Sequence, residues 1–474
     1  MKKSLYKSFL GFSIGPLGAA LINFITIPVT TRLLSPEEFG KISIFLVIQA
    51  LGTSLLFLGF DQSYIREFNN SKDKEKLLVN TLLLPLLFSI VAIVLLLVNK
   101  NYLSVALFQD EKHSAIYFIA LWIPFIVIER FLLLTLRMEE RAIIYSVFNI
   151  IIKFLVMILT VTFLLWKQDY LSVIMANVLG QVVIDIFIII YIKSKMKITL
   201  TLKSIDKKFI IKMIKYGAPF VPTAILMWFL NSNDRLFLNM YSSLENIGIY
   251  FAALKVVGIF TVIQLIFTTF WLPIAFRWEK ERVPFNKYSE VSELVMFIMF
   301  VLFIIILLFK ELIIVIISSQ YNESLRAIPF LMLYPVMYTV AEATGMGIAI
   351  SRKTNFNVLI SIVLVVVNIV LNILLVPRFN FVGASISLGV TYVIYFWLKT
   401  LLSRRLWYKF RISTYVFYTV ALILTATVNL LVLGYFSYIW NILILLGVLI
   451  FNKKYINQLV NLVHPAVYKK RKHN

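Results

Sequence analysis

Fourteen stretches of this chain stay apolar for longer than a soluble core helix needs, and that feature leaves few folds open. They run at about 9–30, 42–60, 77–98, 115–136, 142–166, 171–192, 216–240, 248–272, 291–317, 326–350, 356–376, 382–402, 413–433 and 435–451. A helix crosses the ~30 Å of a bilayer's hydrocarbon in roughly 20 apolar residues, so the runs read as membrane spans. Strands of an outer-membrane barrel would alternate instead. Hydrophobic residues make up 61% of the 474 and charged residues only 15%, which excludes a soluble enzyme and a disordered chain. The fold class is an all-α polytopic membrane protein of about fourteen helices. The first run follows Lys2, Lys3 and Lys7 as a signal peptide would, but its ~22 residues are too many for a signal core.

Lysine and arginine orient the spans. With the N-terminus inside, the inside segments hold 34 of the 46 Lys and Arg, the outside loops eight and the spans four. Cytoplasmic loops collect these residues, so both termini are expected in the cytoplasm. The same asymmetry accounts for a net charge of +23 without a nucleic-acid partner. Cysteine is absent, and His113, His464 and His473 fall in loops or the tail. No Gly-rich phosphate loop appears, and the longest outside loop is about 99–114. Disulfides, metal catalysis, a cofactor and ATP hydrolysis are therefore not expected.

A short signature occurs twice. Arg32-Leu33 is followed by Ser35-Pro36-Glu37-Glu38-Phe39-Gly40, and Arg235-Leu236 by Ser243-Leu244-Glu245-Asn246-Ile247-Gly248. Ser should cap the next helix, an acid should sit in its first turn, and Gly should permit the reversal. Six spans separate the copies, so the repeats share one orientation and imply two six-helix lobes in a V around a central cavity. The expected domains are 1–192, a basic connector 193–215, 216–402, two extra spans within 403–451 and a basic tail 452–474. In the connector Ile205, Phe209, Met213 and Ile214 share a helical face, which suits either an interfacial helix on anionic lipid or an ordinary loop.

Eight ionisable residues are assigned to span interiors, those near span ends being counted with the loops: the cations Arg130, Lys153, Arg235 and Lys255, and the anions Glu129, Asp185, Asp234 and Glu342. Each costs about 2.5–3.5 kcal/mol at the bilayer centre, so each needs a reason. The cations are spread in depth and would suit a phosphate-bearing ligand. Equal numbers also permit purely structural pairing. Asp185 and Glu342 are candidates to bind a coupling proton or sodium ion. Asn231-Ser232-Asn233-Asp234-Arg235 reads either as cavity lining or as a hydrogen-bonded seam. Prolines at 16, 28, 219 and 222 make the first and seventh spans candidates for bending. Trp271, Trp397, Trp407 and Tyr408 read as interfacial anchors.

The segment Ile27–Gly40 resembles the first-loop signature of bacterial polysaccharide flippases of the Wzx type. Asn233-Asp234-Arg235 with Gly248-Ile249-Tyr250, and Asn368 to Phe379 leading into Gly383-Ala384-Ser385, carry the same resemblance. It implies membership of the multidrug, oligosaccharidyl-lipid and polysaccharide (MOP) exporter superfamily, in the bacterial cytoplasmic membrane. It further implies that undecaprenyl-pyrophosphate-linked oligosaccharides are moved to the outer leaflet by alternating access, beside a polymerase and glycosyltransferases. The substrate contacts expected on this basis are Arg235, Lys255 and Lys153, joined by Asp234 and Arg32 of the matched motifs and by Asn231 of the polar face of the seventh span. Arg130 joins them on charge alone. A multidrug exporter, a peptidoglycan-precursor flippase and a membrane polymerase are the alternatives.

Overall fold

Backbone N–H and C=O groups find no partner in hydrocarbon, so each span has to satisfy them within a helix. The computed structural model of the chain, which describes residues 2–196, 205–353, 355–432 and 434–452, is helical, with no strand among the described residues. Packing divides it into two units, Met1–Ala252 and Ala253–Asn474. The first holds α1 (Lys2–Leu33), α2 (Pro36–Leu55), α3 (Phe60–Phe68), α4 (Lys74–Val98), α5 (Lys100–Phe108) and α6 (Ser114–Met138). It continues with α7 (Ala142–Trp166), α8 (Tyr170–Met196), α9 (Lys207–Gly217), α10 (Phe220–Tyr241) and the first turns of α11 (Leu244–Lys280). The second takes over within α11 and adds α12 (Phe285–Leu308), α13 (Lys310–Ile317), α14 (Ser324–Leu331) and α15 (Leu333–Thr344). It ends with α16 (Met346–Ile350), α17 (Asn355–Leu406), α18 (Ser413–Leu431) and α19 (Tyr435–Phe451). His464, His473 and all but the first residue of the expected tail lie outside the described residues.

Among the described residues ten helices are long and apolar enough to cross a bilayer, eleven when α9 and α10 count as one span bent by 44°. The bend falls at Pro219, where a proline was expected to cause one. α1 runs as one helix through Pro16 and Pro28. The 52 residues of α17 turn back at Asn380 (φ 48°, ψ −129°), which gives one leg to each of the runs 356–376 and 382–402. The legs press together at Gly383, where a Cβ would lie 2.3 Å from the Leu375 carbonyl oxygen. Asn368 Nδ2 donates to Thr391 Oγ1 between them at 3.2 Å.

Both signature serines act as expected. Ser35 Oγ accepts from the Glu38 N–H at 3.3 Å and Ser243 Oγ from the Asn246 N–H at 3.2 Å. Glu37, Glu38 and Glu245 occupy the first turns they start. The glycines do something else. Gly40 and Gly248 sit inside helices, not at the reversals, and they meet each other: a Cβ on Gly40 would lie 2.0 Å from Leu244 O, and one on Gly248 1.8 Å from Pro36 O. The two copies thus pack reciprocally, backbone on backbone, inside the first unit. Phe39 and Phe251 extend the contact with ring centroids 5.0 Å apart. At this end of the unit the Tyr170 N–H donates to Glu38 Oε2 at 2.6 Å, and the Tyr170 hydroxyl to Asp110 Oδ2 at 2.6 Å.

At the opposite end, α3 and α9 lie together. Ser63 Oγ donates to Met213 O at 2.9 Å, Lys212 pairs with Glu67 at 2.7 Å, and Arg66 lies over the Tyr216 ring at 4.2 Å. Asp206 caps α9 and pairs with Lys76 at 3.0 Å, which holds its carboxyl below the usual range. One face of α9, built from Ile210, Met213 and Gly217, is therefore docked on protein. Of the four residues expected to share that face, Met213 is buried, whereas Ile205 and Ile214 are exposed. A helical period shows which residues share a stripe but not what covers it.

Among the expected anchors, Trp271 is core: only 4% exposed, it stands edge-on to Tyr288 and Trp278. Trp407 and Tyr408 are half-buried against Phe285 and Tyr288.

Candidate functional site

The polar stretch of α10 divides between two surroundings. Ser232, Asn233 and Asp234 are buried, while Asn231 is exposed and Arg235 half-buried. Asp234 accepts the Tyr250 hydroxyl at 2.9 Å, and Trp228 Nε1 donates to the Val47 carbonyl of α2 at 3.1 Å. This is the hydrogen-bonded seam. On the other side, the Arg235 guanidinium reaches back one turn to the Asn231 carbonyl at 3.1 Å and lies 6.0 Å from the Phe251 ring centroid. Its other hydrogen-bond partner is the Ser232 hydroxyl, at 3.5 Å. Among the described residues Arg235 has only neutral acceptors.

Toward the α3–α9 end a second group forms on α6, α7 and α8. Arg130 Nη2 pairs with Asp61 Oδ2 at 2.7 Å, and Gln62 donates to the same oxygen at 3.0 Å. Glu129 accepts from Gln181 Nε2, and Gln181 Oε1 in turn accepts from Trp122 Nε1 at 2.9 Å. Lys153 feels the Glu129 charge without touching it. Asp185 is 0% exposed, and neither of its carboxylate oxygens has a hydrogen-bond partner among the described residues. Arg130, Lys153 and Arg235 are thus not ion-paired with any of the four intramembrane anions. Two cavities open on either side of Phe57. One of about 220 Å³ lies between α2, α3 and α10 and reaches Asp61 and Gln62. The other, of about 250 Å³, lies between α2, α6 and α7 and reaches Glu129 and Arg130.

Three expected residues lie elsewhere. Arg32 is exposed in the last turn of α1, at the other end of the first unit. Lys255 is half-buried on α11, in the second unit. Glu342, also in the second unit, is held by Lys399 and by the Tyr395 hydroxyl at 3.1 Å. Two partners were not foreseen. Asp61 lies one residue past an expected span, and Lys399 was counted with the loop after residue 402. Ionisable groups at or near the ends of apolar runs were the available signal, and no spacing names their partners, which are 69 and 57 residues away along the chain. Among the described residues no three His, Asp or Glu side chains are grouped to hold a metal ion.

A family model described as "Polysaccharide biosynthesis protein" matches residues 5–279. No curated protein sequence matches the chain. Among solved structures, the lipid II flippase MurJ in an inward closed conformation aligns over 95% of this chain and 99% of its own, at 15% identity and a TM-score of 0.71. An inward-facing multidrug resistance MATE family transporter of the MOP superfamily aligns over 81% and 94%, at 15% identity and a TM-score of 0.62. A MOP superfamily transporter from Pyrococcus furiosus Vc1 aligns over 85% and 95%, at 15% identity and a TM-score of 0.54. The fold is that of MOP superfamily transporters.

Proposed function

Because the chain belongs to the polysaccharide biosynthesis protein family, we propose that it is a flippase for undecaprenyl-pyrophosphate-linked oligosaccharide units. On this reading it moves them by alternating access from the inner to the outer leaflet of the bacterial cytoplasmic membrane, for surface polysaccharide synthesis. Both termini face the cytoplasm, and a polymerase and glycosyltransferases work beside it. The carrying observation is Arg235. It is a guanidinium within an apolar helix, bonded only to a carbonyl and a hydroxyl among the described residues. Such a group costs about 2.5–3.5 kcal/mol to bury in lipid, and a passing phosphate offers it charge-assisted hydrogen bonds. Lys153, with no partner in hydrogen-bond distance among the described residues, supports the same reading from a different depth.

The physical task suits this chemistry. A diphosphate and its glycan cannot cross hydrocarbon unaided, while the polyprenyl tail remains in lipid. The protein needs a cationic polar path and no covalent step. A membrane potential negative inside favours outward movement of an anion by about 2.3 kcal/mol per charge per 100 mV. A multidrug exporter for cationic drugs would prefer carboxylates where Arg235 and Lys153 stand. Arg235→Ala and Lys255→Ala, each at normal expression, are expected to abolish surface polysaccharide export in a cell-surface immunoassay. Full export in both would refute the substrate assignment.

Asp185 is the stronger coupling candidate of the two, because its carboxylate has no described partner while Glu342 is engaged by Lys399. A buried carboxylate without an internal partner is stabilised by a proton or a small cation. Asp185→Asn should leave the fold intact and flatten the dependence of transport on pH or sodium in proteoliposomes. An unchanged profile for both ions would remove Asp185 from coupling.

A further inference from the structure

We propose that the cavity between α2, α6 and α7 is a loading site for a lipid-borne diphosphate, held between Arg130 at its floor and Arg137 at its mouth. The proposal rests on the flippase reading and adds to it a place where the substrate first docks. Arg130 and Arg137 are seven residues apart on α6, two turns along one face and roughly 10 Å apart in rise, and both line the cavity. Arg137 is exposed in the last turn of α6 and makes no side-chain hydrogen bond or ion pair among the described residues. Arg130 gives one nitrogen to Asp61 but leaves Nε buried with no acceptor. A buried donor left unpaired costs about 1–3 kcal/mol, and a ligand rich in anionic oxygen removes that cost.

The facing wall is polar too: Tyr145 and Asn149, one turn apart on α7, line the same space. The carboxylate of Glu129 also lines it, but it accepts from Gln181 and has Lys153 as a nearby countercharge. The volume of about 250 Å³ exceeds several times the ~30 Å³ share of a water, so a diphosphate fits with water around it. The lipid-borne class follows from the flippase reading, in which the diphosphate arrives on a polyprenyl tail that stays in hydrocarbon while the headgroup meets the arginines. On the proposed orientation this end faces the cytoplasm, where the loaded lipid is made.

The test uses the full-length protein in phosphatidylcholine nanodiscs with radiolabelled farnesyl diphosphate, inorganic diphosphate as competitor, and phosphatidylglycerol nanodiscs as a second arm. Wild type should bind farnesyl diphosphate. Arg137→Gln should weaken it at least tenfold, Arg137→Lys should retain part of it, and Arg326→Gln, at an exposed position of the second unit, should leave it unchanged. Arg137 is exposed, so its variants should fold, as size exclusion would verify. Equal affinity in wild type and Arg137→Gln overturns the site, as does absence of binding to wild type. Equal potency of inorganic diphosphate overturns the lipid-borne class, and abolition by phosphatidylglycerol nanodiscs makes the site one for bulk anionic lipid instead. None of these outcomes touches the flippase reading, which stands or falls on polysaccharide export in Arg235→Ala and Lys255→Ala.

Discussion

Gly248→Val is expected to abolish export and to reduce the yield of folded protein sharply, and Gly248→Ala to lower the thermal midpoint by several degrees. The reason is geometric. A Cβ at Gly248 would sit 1.8 Å from the Pro36 carbonyl oxygen and 3.0 Å from the Gly40 nitrogen. Those are backbone atoms, so no side chain can rotate away. Restoring ordinary contact forces the two helices apart by more than an ångström. The Trp228–Val47 hydrogen bond of 3.1 Å and the Phe39–Phe251 contact draw on the same approach of α2 to α10 and α11. Overpacking a core typically costs about 1–3 kcal/mol, occasionally more, and two rigid backbones place this site at the upper end. Gly258 supplies the control, since a Cβ there meets nothing within 4 Å. Gly258→Ala should be silent or mildly stabilising, by about 0.5–1 kcal/mol of helix propensity. The chain contains no cysteine, so a single Phe39→Cys, at a site 3% exposed, reports the packing directly. Its maleimide labelling should be slow in the parent and fast beside Gly248→Ala. Identical behaviour of the alanine variants at 248 and 258 would refute the packing role.

The same glycines mark how far the sequence could be read. Ser35 and Ser243 were legible as caps because capping is local: the acceptor and the N–H it serves are three residues apart. The return of the chain at Asn380 was legible for the same reason, as a short interruption between two apolar runs. The partner of Gly40 was not legible, since its repeat match to Gly248 revealed equivalence and left the reciprocal contact unspecified. Charges followed this rule as well. Asp234 and Arg235 point about 100° apart on their helix and accordingly part company, one to Tyr250 and one to Asn231. Asp61 is 69 residues from Arg130 along the chain, and no period or spacing joins them. The connector's stripe was visible, but a lipid surface and the face of α3 demand the same apolar residues.

Lys399→Met should destabilise the second unit more than any other single replacement of a charged side chain discussed above, and adding Glu342→Leu should recover most of the loss. Lys399 reaches Glu342 with a side chain only 11% exposed, against 24% for its partner. Its ammonium also donates to the Tyr395 hydroxyl at 3.0 Å, and that hydroxyl donates to the same carboxylate. Gly345 makes room for the stem, since a Cβ there would lie 2.6 Å from Lys399 Cγ and Cε. Removing one partner of a buried pair leaves an uncompensated charge and costs about 3–5 kcal/mol; the partial exposure of Glu342 argues for the lower half of that range. Replacing both by apolar residues removes the stranded charge along with the attraction, and is often close to neutral. Thermal unfolding of the two single variants and the double in one detergent measures the cycle. A double variant no more stable than Lys399→Met alone would show that the pair is not the source of the loss. The double variant also separates structure from coupling at Glu342. If it transports with the parent's pH and sodium profile, the carboxylate holds α15 to α17 and carries no ion. A lost ion dependence in a stable double variant would make Glu342 a coupling residue and Lys399 the group that competes with the ion for it.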